Sequence, residues 1–149
     1  MQELKFKKLD DRAVTPMQSS STAAGYDLFV LLDKPNEQIV IQPGATKLLH
    51  TGIAIEIPDE FVFGAIFARS GMANKQGLRP SNCVGVIDSD YRGELLVSIH
   101  NDSFDEQVIY DRTKIAQLVF LPYIIYPFKE VDELSDTKRG EGGFGSTGA

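Results

Sequence analysis

Apolar and polar residues alternate along most of this chain. Period two runs through Gln38–Ile41, Lys47–Ile57, Phe61–Phe67, Glu94–His100 and Ile115–Phe120, so each is predicted as a strand. Turn-formers punctuate these runs at Pro35-Asn36, Pro43-Gly44, Pro58-Asp59, Arg79-Pro80-Ser81-Asn82 and Asn101-Asp102-Ser103. Val84–Ile87 reads as a further strand, 88–93 as a turn and Glu94 onward as the return strand, which together predict a β-hairpin. One short helix is expected from Ser70 to about Lys75, with Ser70 capping it. Short strands at this spacing predict an all-β antiparallel sandwich or barrel. No internal repeat is present.

Composition narrows the picture. The 149 residues suit one domain with a core of its own; 42% are hydrophobic and 24% charged, an ordinary globular balance. No apolar run reaches the roughly 20 residues of a membrane helix. Met1–Lys8 lacks the apolar stretch of a signal peptide, so a cytoplasmic protein is expected. A single cysteine, Cys83, fits that compartment and leaves no intrachain disulfide. The net charge of −6 argues against a nucleic-acid polymer as partner and towards small ligands whose charge is met locally. Composition shifts near residue 130: Glu130–Asp136 is acidic and Gly140–Ala149 is glycine-rich. A β-domain over 1–130 and a mobile arm over 131–149 are therefore expected.

Several short segments hold candidate chemistry. In Ala68-Arg69-Ser70-Gly71-Met72-Ala73 a cation, a hydroxyl and a glycine amide meet at a helix start, where unpaired N–H groups favour anions. The same residues would also serve as a plain helix cap. Asp88 follows an apolar Val-Ile pair at a strand end, a place for a general base or for a carboxylate satisfying turn amides. Asp27 heads the strand of Ala24-Gly25-Tyr26-Asp27-Leu28. Gln117 is the one polar residue of Ile115-Ala116-Gln117-Leu118, either functional or facing solvent. The tail adds Arg139, Phe144, Ser146 and Thr147 on a glycine backbone: a guanidinium, an aromatic plate and two hydroxyls.

Taken in order, AGYDL, ARSGMA, NCVGVIDSDYRG, KIAQL and RGEGGFGSTG resemble the five motifs of the dUTP pyrophosphatase family, from Ala24 to Gly148. The resemblance implies a jelly-roll-like β-barrel assembled as a homotrimer, with active sites shared between subunits. It also implies hydrolysis of dUTP to dUMP and pyrophosphate, which keeps uracil out of DNA and supplies dUMP for thymidylate synthesis. By the same resemblance Asp88 is the base for the attacking water, and Gln117 contacts the α-phosphate. Tyr91 packs under the deoxyribose. Asn82 and the main chain of Gly85, Val86 and Ile87 read uracil, with Leu96 lining the pocket. Arg69, Ser70 and Gly71 hold phosphate. Phe144 stacks on the base, and Arg139, Gly145, Ser146 and Thr147 close over the γ-phosphate. Mg²⁺ is implied as cofactor, bound through the triphosphate and water, with Asp27 behind it and no direct protein ligand.

Two positions depart from the family pattern: Phe29-Val30-Leu31-Leu32 stays apolar after the first motif, and Thr113 stands where an acid is common. Neither falls on the implied chemistry. Two other functions fit parts of the pattern. A dCTP deaminase shares the implied fold, but Ser98 occupies the position of its catalytic glutamate. A viral-type regulatory binding protein would be expected to have insertions between the motifs, and no sizeable one is present.

Overall fold

A computed structural model describes residues 3–143. The strands in chain order are β1 (Lys5–Lys8), β2 (Met17–Gln18), β3 (Tyr26–Phe29), β4 (Gln38–Ile41), β5 (Thr46–Leu49) and β6 (Ile53–Glu56). After β7 (Val62–Phe67) comes the helix α1 (Ser70–Gln76), then β8 (Leu78–Pro80), β9 (Gly85–Ile87), β10 (Val97–Asn101), β11 (Gln107–Tyr110) and β12 (Lys114–Pro122). The strands form antiparallel sheets in the orders β2-β3-β12-β7-β9, β5-β10-β8, β1-β6 and β11-β4. The expected all-β, jelly-roll-like architecture with one short helix is therefore present. Among the described residues its sheets remain separate ladders around a shared core and do not close into one continuous barrel. Leu28, Ile41, Ile53, Leu95, Ile99 and Leu118 fill that core and are almost wholly buried.

Three expectations need correction. The run Lys47–Ile57 is two strands, because Gly52 takes a left-handed backbone (φ +67°) and turns the chain between sheets. A side chain at Gly52 would also collide with Leu31 and Ala13. Thr51 and Gly52 donate their N–H groups to Glu94 Oε1 at 3.1 and 2.7 Å, which fixes the turn. The second correction is to the hairpin. β9 pairs with β7, β10 pairs with β5 and β8, and Glu94 meets a strand only through a bridge to Ala54. Period two specifies which face of a strand is buried and leaves the paired edge open. Residues 88–96 thus cross between sheets. The third correction is at the helix start, where Arg69 is the N-cap, with no side-chain cap bond, and Ser70 is the first helical residue.

The sequence pattern predicts no strand at β1, β2, β8 or β11; β2 and β8, of two and three residues, are too brief for a periodic signal. Beyond β12, residues 123–143 form neither strand nor helix, and Ile124, Tyr126, Phe128 and Leu134 are exposed. Among the described residues no helix is long and apolar enough to cross a membrane.

Asn101 tests the packing. It is fully buried, its amide donates to Ile41 O (2.9 Å) and Asp105 O (2.8 Å), and its oxygen accepts from Ser103 N and Oγ. Asn101→Ala should destabilise the fold by about 2–4 kcal/mol in urea unfolding at unchanged m, because buried partners are left unpaired. A loss below about 1 kcal/mol would contradict this reading.

Candidate active site

The central strand of the largest sheet gathers the first set of site residues. Gln117 of β12 pairs with Asp27 of β3 on one side and with Phe67 of β7 on the other. Asp27, Gln117 and the chain leaving β7 towards Arg69 therefore lie side by side. Gln117 Nε2 donates to Ala68 O at 2.9 Å, so its side chain is held and does not face solvent as an isolated polar group. Gly25 makes this arrangement possible: a Cβ there would lie 2.8 Å from Gln117 Oε1.

Asp27 is only 6% exposed, and a buried carboxylate needs partners. Its Oδ1 accepts from Arg69 Nε at 2.8 Å, and its Oδ2 accepts from Ser19 Oγ at 2.7 Å and pairs with Lys114 Nζ at 2.8 Å. Burial pushes the carboxyl up, but the hydrogen bonds from Lys114 and Ser19 and the charges of Arg69 and Lys114 outweigh it. The Asp27 carboxyl is held below the usual range. Sequence reasoning missed Lys114 and Ser19; the signal that could have found a cation was an aspartate inside an apolar strand, which requires one.

Arg69 and Lys114 border an open depression of about 420 Å³, with Gly71, Lys75, Gln76 and Thr113 around it. Ser70, which precedes Gly71 in α1, is exposed, as is Gly71, and a Cβ on Gly71 would meet nothing within 4 Å among the described residues. A larger groove of about 640 Å³ lies elsewhere, lined by Leu4, Phe6, Tyr26, Ile55 and Phe120. Its lining is mostly apolar, and among the described residues it includes none of the candidates.

The second set lies on the outer strand of the same sheet. Val86 is 61% exposed on β9, and Asn82 is exposed before it, with its amide nitrogen beside Gly85. Asp88 is exposed, and its carboxylate has no hydrogen-bond partner among the described residues. Tyr91 donates its hydroxyl to Glu94 O at 3.0 Å, and Leu96 is half-buried. Arg139 stands on the tail, its Nε donating to Gly142 O at 2.8 Å. Phe144, Gly145, Ser146 and Thr147 lie outside the described residues.

Strand register separates these sets. Ile87 pairs with Gly64 and Gly64 with Phe120, so Asp88 stands level with Leu121, four positions along β12 from Gln117. It is also two strands away. At about 3.4 Å per residue and about 4.8 Å per strand, their backbones are roughly 17 Å apart. Asp88 and Gln117 of one chain cannot address the same water.

The dUTPase family profile matches residues 11–148, nearly the whole chain. The chain belongs to the dUTPase family. A deoxyuridine 5′-triphosphate nucleotidohydrolase of Desulfitobacterium hafniense is 45% identical over 146 residues, covering 98% of this chain and 95% of that protein. Among solved structures, a dUTPase of Staphylococcus bacteriophage 80alpha with dUpNHpp superposes with a TM-score of 0.88 at 29% identity, covering all of both chains. A dUTPase from phage phi11 of S. aureus, described with a structural Mg(II) ion, gives 0.79 at 26% identity over 91% of this chain and all of that one.

The Asp27 cluster makes a pH prediction. A carboxyl whose folded pKa lies below its unfolded value contributes stability that is whole above the unfolded value. That contribution is lost as pH falls through the folded one. The urea midpoint of the wild type should therefore exceed that of Asp27→Asn most at neutral pH, and the gap should narrow as pH falls below about 4. A gap that stays constant into strong acid would detach this charge from stability.

Proposed function

We propose that the chain hydrolyses dUTP to dUMP and pyrophosphate by attack of water at the α-phosphorus, in sites that each combine several copies of the chain. The single observation behind the shared site is the roughly 17 Å register separation between Asp88 and Gln117. A base and an α-phosphate ligand must lie within hydrogen-bond reach of one water, so they come from different subunits. Three groups of residues then compose each site in a homotrimer. One copy supplies Asp27, Arg69, Ser70, Gly71 and Gln117. A second supplies Asn82, Gly85 to Ile87, Asp88, Tyr91 and Leu96, and a third the arm from residue 131 with Arg139 and Phe144 to Thr147.

In this reading the depression beside Arg69 and Lys114 receives the phosphate chain. Its cations meet the triphosphate charge locally in a chain that is acidic overall. The open space at Gly71 leaves room for a phosphate oxygen at the start of α1. The carboxylate of Asp88, without a protein partner among the described residues, can accept a proton from water. Gln117, locked by Ala68 O, places its remaining amide atoms at a fixed point beside the α-phosphate. Tyr91, tied to Glu94 O, offers a rigid ring against the sugar, leaving no room for a 2′-hydroxyl.

The donor set suits a metal carried by the substrate. Among the described residues no three His, Cys, Asp or Glu side chains gather, and the buried carboxylate at the cradle is already saturated by cations. Bound through triphosphate oxygens and water, Mg²⁺ supplies charge neutralisation for the pyrophosphate leaving group. Asp27 is the carboxylate behind that position. A cytoplasmic setting belongs to the same proposal and rests on the lone Cys83.

A panel of dUTP, UTP, dTTP and dCTP with Mg²⁺ tests the reaction. Pyrophosphate should appear from dUTP alone, without ammonia, and Asp88→Asn should lower kcat at least ~10²-fold while dUTP still binds. Ammonia from dCTP, or no pyrophosphate from dUTP, would refute the assignment; near-normal turnover in Asp88→Asn would remove that residue from it.

A further inference from the structure

In the dUTP reading, the segment between β9 and β10 carries both the base and the ring that faces the sugar. Little holds the first part of it. Among the described residues, Asp88 to Gly93 hydrogen-bond to another part of the chain only through Ser89 Oγ, which donates to Glu60 O at 3.3 Å. The firm attachment comes next, at Glu94. Its Oε1 accepts the N–H groups of Thr51 and Gly52 at 3.1 and 2.7 Å, and its Oε2 accepts from His50 Nδ1 at 2.9 Å. Its backbone oxygen accepts the Tyr91 hydroxyl at 3.0 Å. Gly93 makes that return possible, since a Cβ there would run into the Tyr91 ring and hydroxyl. One residue thus joins Tyr91 to the Gly52 turn, from which β6 enters the core.

We propose that Glu94 is a positioning residue for sugar discrimination: its carboxylate, anchored on the Gly52 turn, holds the Tyr91 ring where a 2′-hydroxyl would collide with it. This role rests on the dUTP reading of the site and adds to it a residue that acts without touching the nucleotide. Exclusion by collision works only against a wall that does not yield. Tyr91 is 41% exposed, so packing alone does not immobilise it. A site about 1 Å too loose fails, and supporting hydrogen bonds are what prevent that. Three donors on one carboxylate provide such support, because bonds to an ionised acceptor are the strong ones. A purely structural Glu94 would stabilise the Gly52 turn and nothing more. Loss of folded enzyme lowers turnover of every nucleotide in proportion, whereas a loosened ring changes their ratio.

The test is steady-state hydrolysis of dUTP and UTP with Mg²⁺ by the full-length protein, read as the ratio of the two kcat/KM values. Glu94→Ala should lower the preference for dUTP at least about tenfold. Glu94→Gln should stay within about threefold of wild type, because its amide oxygen still accepts from Thr51 and Gly52. Tyr91→Phe keeps the ring and removes only its bond to Glu94 O, so it should lose preference in the same direction. An unchanged ratio in Glu94→Ala would overturn the proposal, and so would a Glu94→Gln variant as unselective as the alanine one. If Glu94→Ala does not fold, Tyr91→Phe decides, and an unchanged ratio there overturns it. A wild type that hydrolyses neither nucleotide, or both alike, would instead overturn the dUTP reading itself.

Discussion

The register of β12 between β3 and β7 is the constraint on which the site depends. It sets Gln117 opposite Asp27 and beside the chain that runs on to Arg69. A carboxylate buried at that point would be costly alone. The same ladder brings Lys114 from the start of β12 and Arg69 from the end of β7, and each pairs with one of its oxygens. One backbone arrangement therefore creates the charge problem and supplies its solution. The two cations that stabilise Asp27 also border the depression that suits an anion. Under the proposed function, structure and ligand binding use the same ion pairs, so substitutions in the cluster should affect both.

The ladder also limits what one chain can do. β9 lies on the outer edge of the sheet and Asp88 follows it near the far end of β12, so the base stands well away from Gln117. A hairpin between Val84 and His100 could have folded Asp88 back; the observed pairing sends β9 to β7 and β10 to another sheet. The exposed Asp88, Tyr91 and Val86 form a surface suited to meet a second copy. Apolar side chains along residues 123–134 are exposed as well, a surface that the proposed trimer would have to accommodate.

Much of this was legible in the sequence, for identifiable reasons. Period-two alternation found β4, β7 and β12, and turn residues marked their ends, because half-buried strands bury every second side chain. It did not find pairing edges, so the hairpin and the unbroken strand over Lys47–Ile57 were wrong. Gly52 was visible as a glycine, but its left-handed turn depends on Glu94, some forty residues away in the chain. Within the site, the motif resemblance named Asp27, Arg69 and Gln117, which the fold brings together. Lys114 lay inside the quoted KIAQL motif without a role, since nothing local marks the lysine as the partner of a buried aspartate. The cap at Arg69 was missed for a similar reason: its side chain is committed to Asp27, across the sheet.

The most direct test of the shared site uses mixed assemblies. Asp88→Asn chains and chains truncated before Arg139 would each be nearly inactive, one lacking the base and the other the closing arm. After co-refolding in equal amounts, about three quarters of trimers are mixed, and each mixed trimer has one site with an intact base donor and an intact arm donor. About one quarter of wild-type activity should therefore return. No recovery from mixed trimers shown to have assembled would mean that base and arm serve one site from one chain, and would contradict the account.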